Sequence, residues 1–165
     1  VMTISPDWRF MLRHPAHVIA LGLGSGLAAK APGTFGTLAA LPLYALWLAL
    51  GLSPALLAWL LPLLFALGCW ACQRTGDALG APDHGAMVWD EMVAMWALLI
   101  VLPATPLAWA LGFALFRVFD IVKPWPIRWL DAQLKGGFGV MLDDALAALM
   151  AWAVWRLAAP ALGLG

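Results

Sequence analysis

Charged residues are scarce in this chain of 165 residues: Lys, Arg, Asp and Glu make up 11% of it, against about 25% in an ordinary soluble domain. With 64% of the residues hydrophobic, a soluble globular fold is excluded and lipid becomes the expected surroundings. Nine basic residues balance nine acidic ones, leaving no basic excess to hold a nucleic-acid backbone. Cysteine is limited to Cys69 and Cys72, too few and too close together for a disulfide scaffold, and more simply read as small buried hydrophobes than as a redox pair. Val1 to Arg13 mixes aromatic and charged residues without the basic, apolar, small-residue order of a secretory signal, so no removable targeting segment is expected.

What is present is long apolar sequence. From Ala31 to Gln73 there is no charged residue, about twice what one spanning helix of roughly 20 residues needs. Gly51-Leu52-Ser53-Pro54 divides this run into spans near Thr37–Leu50 and Ala55–Cys72, the second kinked or loosened at Pro62. A third runs from Ala86 to Leu102 and a fourth from Leu107 to Val122. A fifth, Val140 to Leu162, follows glycines 136, 137 and 139 as a breaker. His14–Ala29, short and glycine-containing, suits a re-entrant or interfacial piece better than a span. The expected fold is an all-α polytopic membrane bundle of about five spans plus that N-terminal segment, in a single domain covering residues 1–165.

The 51–54 and 103–106 loops carry no Lys or Arg. Arg9, Arg13, Lys30, Arg74, Arg117, Lys123, Arg128 and Lys135 fall on the other side, the cytoplasmic one by the positive-inside rule. Arg156 is the exception and can snorkel outward.

Ionisable groups in a membrane bundle are costly, so their positions point to function. Asp90 and Glu91 lie near the start of the third span, Asp143 and Asp144 near the start of the fifth. Arg117, Asp120 and Lys123 form a stripe three residues apart at the cytoplasmic end of the fourth. Helix dipoles and topology account for about half of this pattern, but not for an acidic pair about one turn inside Ala86, between Trp89 and Met92. Carboxylates without a matching Cys/His set favour a hard, oxygen-seeking ion, and Mg²⁺ is the usual one where phosphate is handled. Lys30-Ala31-Pro32-Gly33-Thr34-Phe35-Gly36-Thr37 could offer backbone N–H groups and hydroxyls to an anion. The same turn is also an ordinary way to begin a helix, the commoner case.

Gly24-Ser25-Gly26, Pro32-Gly33-Thr34-Phe35-Gly36-Thr37, Asp83-His84-Gly85, Trp89-Asp90-Glu91, Phe116-Arg117 with Asp120, Lys123-Pro124-Trp125-Pro126-Ile127, and Gly136-Gly137-Phe138-Gly139-Val140-Met141 with Asp143-Asp144 together resemble, in order and spacing, the phosphatidylglycerophosphatase A family. The resemblance covers Gly22 to Asp144. It implies an all-helical, Mg²⁺-dependent phosphatase of the bacterial inner membrane, working on the cytoplasmic side. Its lipid substrate would be phosphatidylglycerophosphate, which loses its terminal phosphate to give phosphatidylglycerol. No protein partner is implied.

The expected roles follow. Mg²⁺ is held by some of Glu91, Asp120, Asp143 and Asp144, activating a water for in-line attack on phosphorus. Arg117, Lys123, Lys30 and the turn containing Gly33, Thr34 and Thr37 neutralise the phosphate. Asp90 is the candidate base. Attack by a carboxylate to form an aspartyl-phosphate is the open alternative, and His84 is a weaker candidate for protonating the leaving group. From a different functional class, a small transporter or channel subunit would also carry intramembrane charges, but as a path through the whole thickness.

Overall fold

The structure, a computed structural model, describes residues 5–164; the first four residues of the Val1–Arg13 segment considered above lie outside the described residues. Among the described residues there is no strand. The elements in order are α1 (Trp8–Met11), α2 (Pro15–Ala20), a 3-10 segment (Gly22–Leu27), α3 (Pro32–Ala49), α4 (Pro54–Leu79), α5 (Trp89–Val101), α6 (Pro106–Val122), α7 (Ile127–Gln133) and α8 (Gly136–Ala158).

Two helices begin by the same local chemistry. At α4 and α6 a hydroxyl residue caps a helix whose first residue is proline: Ser53 Oγ accepts from the Leu56 N–H at 3.1 Å and Thr105 Oγ1 from the Ala108 N–H at 3.2 Å. The cap satisfies a free N–H, and proline gives up an N–H that would have had no partner there. Helix α4 runs unbroken through Pro62 and past Cys72 to Leu79, longer than its apolar run, and closes on Gly80 at φ 70°, the left-handed conformation that glycine adopts without penalty.

Two boundaries correct the sequence reading. Helix α5 starts at Trp89, not near Ala86, because the Val88 N–H is taken by the Ala20 carbonyl at 2.8 Å and the Met87 N–H closes a turn on the His84 carbonyl, also at 2.8 Å. Asp90 and Glu91 therefore occupy its first turn. Helix α8 starts at Gly136, so the expected glycine breaker is its first turn. A Cβ on Gly137 would lie 1.9 Å from the Cys69 carbonyl oxygen. Glycine is needed there to bring the backbones of α8 and α4 together, the small-residue packing common between membrane helices.

Helix α8 is the hub, packed against α4, α5, α6 and α7, while α5 also packs on α3 and α4. Indoles tie the layers: Trp89 Nε1 donates to the Leu64 carbonyl and Trp96 Nε1 to the Ala40 carbonyl, at 3.1 and 3.0 Å. The core joins Met92, Met95, Leu98 and Leu99 of α5 to Met141, Ala147 and Ala151 of α8. Outward positions remain apolar, with Trp59 at 84% exposure and Leu157 at 82%, as a lipid-facing surface requires.

Helices α4 and α8, of 26 and 23 residues, are long and apolar enough to cross a membrane. The other apolar segments also fold as helices, α3, α5 and α6, of 18, 13 and 17 residues. At 1.5 Å per residue these reach about 27, 20 and 26 Å, short of a roughly 30 Å hydrocarbon core. Length and composition thus establish an all-helical fold with two span-length helices. The His14–Ala29 segment forms a six-residue helix and a 3-10 segment, too short to cross, and is held to α4 by His17 Nδ1 and Thr75 Oγ1 at 2.9 Å.

Candidate functional site

At one end of the bundle the first turns of α3 and α5, the last turns of α6, the second turn of α8 and the loop between α4 and α5 surround a cavity of about 320 Å³. Six carboxylates line it, Asp83, Asp90, Glu91, Asp120, Asp143 and Asp144, with two cations, Arg117 and Lys123. Facing helices do bring the separated charges of the sequence together.

Arg117 organises one half of the site. Its Nη1 donates to Glu91 Oε1 at 2.9 Å, to Asp120 Oδ2 one turn along α6, and to Thr37 Oγ1 at 3.5 Å. The Thr37 hydroxyl in turn donates to the Gly33 carbonyl at 2.9 Å. All three contacts use one nitrogen of the guanidinium, and its buried Nε has no protein partner. A donor edge is left for an acceptor that can offer two oxygens, such as a phosphate.

Lys123 organises the other half. It caps α6 in a left-handed conformation, φ 46°, ending the helix and bringing its ammonium to Asp143 Oδ2, with Asp131 Oδ1 at 3.6 Å. Burial alone would lower its pKa, but the hydrogen bond and attraction of Asp143, helped by Asp131, outweigh this and raise it above the ordinary lysine value. The side chain is held as a cation.

The glycine motifs are explained by what they seat. A Cβ on Gly22 would lie 2.5 Å from Val88 Cγ2, one on Gly26 2.0 Å from the Ala86 carbonyl oxygen, and one on Gly36 2.5 Å from Val88 Cβ. The 3-10 segment and α3 thus form a groove for Ala86-Met87-Val88, the piece of chain that aims Asp90 and Glu91 from α5. At Gly33 a Cβ would fall 2.1 Å from Glu91 Oε1, so the start of α3 receives a carboxylate of the protein itself.

The metal question can be asked of these atoms directly. Glu91, Asp120 and Asp144 each offer an oxygen, all within 4.8 Å of one another, near the roughly 4.2 Å that separates opposite ligands when Mg–O bonds are about 2.1 Å. Glu91 Oε2 and Asp144 Oδ2 are buried without a hydrogen-bond partner, as are Asp90 Oδ1 and Asp143 Oδ1. Buried carboxylate oxygens left unpaired beside other carboxylates are costly unless a cation joins them. The donor set is all oxygen, and it fits a hard divalent ion.

Of the residues expected at the site, the structure gathers Gly33, Asp90, Glu91, Arg117, Asp120, Lys123, Asp143 and Asp144 around the cavity. Thr37 reaches it through Arg117. Asp143 lies outside the three-carboxylate group and is engaged by Lys123. Lys30 is exposed and Thr34 half-buried, and neither lines the cavity. His84 does not line it either; its Nδ1 accepts from the Ala86 N–H at 3.1 Å and shapes the loop. Sequence reasoning gave no role to Asp83, which does line the cavity, although its place in Asp83-His84-Gly85 was a signal that could have found it.

No solved structure matches the chain. A Haemophilus influenzae protein named phosphatidylglycerophosphatase A is 45% identical over 148 residues, covering 89% of this chain and 90% of its own. An Escherichia coli protein of the same name is 42% identical over 144 residues, covering 86% and 82%. A Bacteroides thetaiotaomicron relative, 40% identical over 79% of this chain and 84% of its own, bears the provisional name phosphatidylinositol-3-phosphatase. Residues 18–159 match the family model described as Phosphatidylglycerophosphatase A. That match spans every residue around the acidic cavity, and the chain belongs to the phosphatidylglycerophosphatase A family.

Proposed function

We propose that this protein is an integral-membrane phosphatase that hydrolyses the terminal phosphomonoester of phosphatidylglycerophosphate to phosphatidylglycerol and phosphate, with Mg²⁺ held by Glu91, Asp120 and Asp144. The observation that carries this reading is the excess of carboxylates over cations in one buried cavity, beside an arginine with an unused donor edge. A dianionic phosphate could not enter such a cavity unless a divalent cation offset the carboxylates. Bound there, the ion supplies Lewis acidity and charge neutralisation.

The protein's own groups do the rest. Arg117 holds two phosphoryl oxygens through its free edge. Lys123, kept cationic by Asp143, places positive charge where negative charge builds up on the oxygens in the transition state. Asp90, with Oδ1 unpartnered, accepts the proton of the water that attacks phosphorus in line; the P–O bond to the headgroup glycerol breaks, and its oxygen takes a proton from solvent. Attack by a carboxylate to give an aspartyl-phosphate is the competing chemistry.

In this account the shorter α3, α5 and α6 cross the bacterial inner membrane together with α4 and α8, their flanking residues and local thinning of the bilayer making up the missing length, and the whole chain acts as one domain with its site toward the cytoplasm. The Lys and Arg residues concentrated at the cavity end support that orientation. A transport path would need polar groups through the full depth of the bundle, whereas the ionisable cluster is confined to one end. The test is phosphate release from phosphatidylglycerophosphate by the purified protein in detergent. Release should stop on chelation and return with Mg²⁺. No release under any divalent-cation condition would overturn the proposal, and faster release from phosphatidylinositol 3-phosphate would reassign the substrate.

A further inference from the structure

The acidic cavity has an apolar neighbour deeper in the bundle. Asp90, only 7% exposed, lines it and also lines an apolar cavity of about 410 Å³ between α4, α5 and α8. That cavity shares Ala97 and Ala145 with a second apolar one, of about 340 Å³, which continues between α5 and α8 past Ala148 to Val101 and Trp152. Through these shared walls the three cavities follow one another from the charged end of the bundle along α5. From Asp90 to Val101 it runs about 16 Å at 1.5 Å per residue, close to half of a roughly 30 Å hydrocarbon core and so the depth of one leaflet.

We infer that this alanine-floored groove takes one acyl chain of the lipid substrate and, by doing so, sets the headgroup phosphate in the acidic cavity. The inference rests on the lipid-phosphatase reading above. Two observations beyond the small residues support it. A buried carboxylate with an unpartnered Oδ1 stands where the polar and apolar cavities meet, as a ligand with a polar head and an apolar tail requires. Apart from Asp90, every residue lining the two apolar cavities is apolar, as a hydrocarbon chain requires along its length. By contrast, the apolar groove between α6 and α8, of about 260 Å³, shares no residue with the acidic cavity.

An acyl chain passing from bilayer to groove gains no hydrophobic free energy, since lipid tails are as apolar as the groove. Its contribution is orientation of the reacting phosphate, where small displacements are expensive in rate. Filling the groove should therefore slow substrates with long chains and spare those too short to occupy it.

The experiment compares Ala97→Phe, the milder Ala97→Leu and the control Ala114→Phe, which fills the α6–α8 groove. Phosphate release is measured from dioleoyl and dihexanoyl phosphatidylglycerophosphate in the same mixed micelles, with thermal melting to show that each variant is folded. Ala97→Phe should lower kcat/KM for the dioleoyl substrate by about tenfold or more, with Ala97→Leu intermediate, while the dihexanoyl rate stays within about twofold. Ala114→Phe should change neither. Equal effects on both substrates, or none, with an active parent protein would overturn the groove alone. An inactive parent protein would overturn the lipid-phosphatase reading and the groove with it.

Discussion

Replacing Arg117 by lysine keeps the positive charge and removes the planar fork, which separates two things the guanidinium does here. One is structural: Nη1 joins Glu91 and Asp120, both on side chains about 12% exposed. The other is to present the unused Nε edge to phosphate. A lysine ammonium can still neutralise the two carboxylates, but it cannot also make a bidentate contact to a phosphoryl group. One hydrogen bond to a charged partner is worth about 1.5–3 kcal/mol. At 1.36 kcal/mol per tenfold, its loss in the transition state corresponds to a fall in kcat/KM of roughly 10- to 150-fold. Stability should change little, whereas Arg117→Ala leaves buried carboxylates without their cation, a loss of about 3–5 kcal/mol. Phosphate release at saturating Mg²⁺ and thermal unfolding, measured on the same preparations, distinguish the two roles. Arg117→Lys with activity within about twofold of the parent would refute the phosphate contact, and Arg117→Lys as unstable as Arg117→Ala would show that the fork is needed for folding.

Further predictions follow from the same atoms. Asp144→Asn and Glu91→Gln keep side-chain shape and remove a ligand charge, so each should abolish turnover in a folded, membrane-inserted protein; near-normal activity in either removes that residue from the metal group. Gly137→Ala drives a Cβ against the Cys69 backbone, which cannot step aside, and should cost about 3 kcal/mol or more in thermal stability. Gly33→Ala meets only the movable Glu91 carboxylate, so it should lower activity more than stability, and the reverse order would misplace Glu91. With Cys69 and Cys72 replaced by Ala, single cysteines at Ser53 and Thr105 should react with an impermeant thiol reagent from the periplasmic side, and cysteines at Ala78 and Ala132 only after the membrane is opened. The opposite pattern would invert the topology, and labelling of Ala78 and Thr105 from one side would break the five-span arrangement.

Much of the fold was legible because its starts are written locally. Ser53-Pro54 and Thr105-Pro106 begin helices in the structure as caps and N-terminal prolines lead one to expect. The misplaced starts of α5 and α8 both depend on distant chain. Nothing near Val88 reveals that its N–H is spent on Ala20, and Gly136-Gly137-Phe138-Gly139 reads as a breaker until the Cys69 backbone occupies the space a Cβ would need. In the site, the Arg117–Asp120 pair was visible as an i, i+3 spacing. The partition of carboxylates was not: whether Lys123 pairs with Asp143 or Asp144 depends on how α6 and α8 are rotated against each other. Lys30 looked like a phosphate ligand by its place before Gly33, but Glu91 fills the start of α3 and Lys30 faces solvent. Asp90 was singled out as the candidate base, yet its position between a polar and an apolar cavity follows only from the packing of α4, α5 and α8.

The central claim is that the acidic cavity cleaves one phosphomonoester from phosphatidylglycerophosphate and leaves the phosphodiester intact. Phosphorus NMR of the detergent-solubilised reaction reads both groups at once. With Mg²⁺ present, the monoester resonance should disappear as inorganic phosphate appears in equal amount, while the diester resonance persists without loss; Asp144→Asn should leave both lipid resonances unchanged. Loss of the diester signal, or phosphate production that survives the Asp144→Asn substitution, would contradict the account.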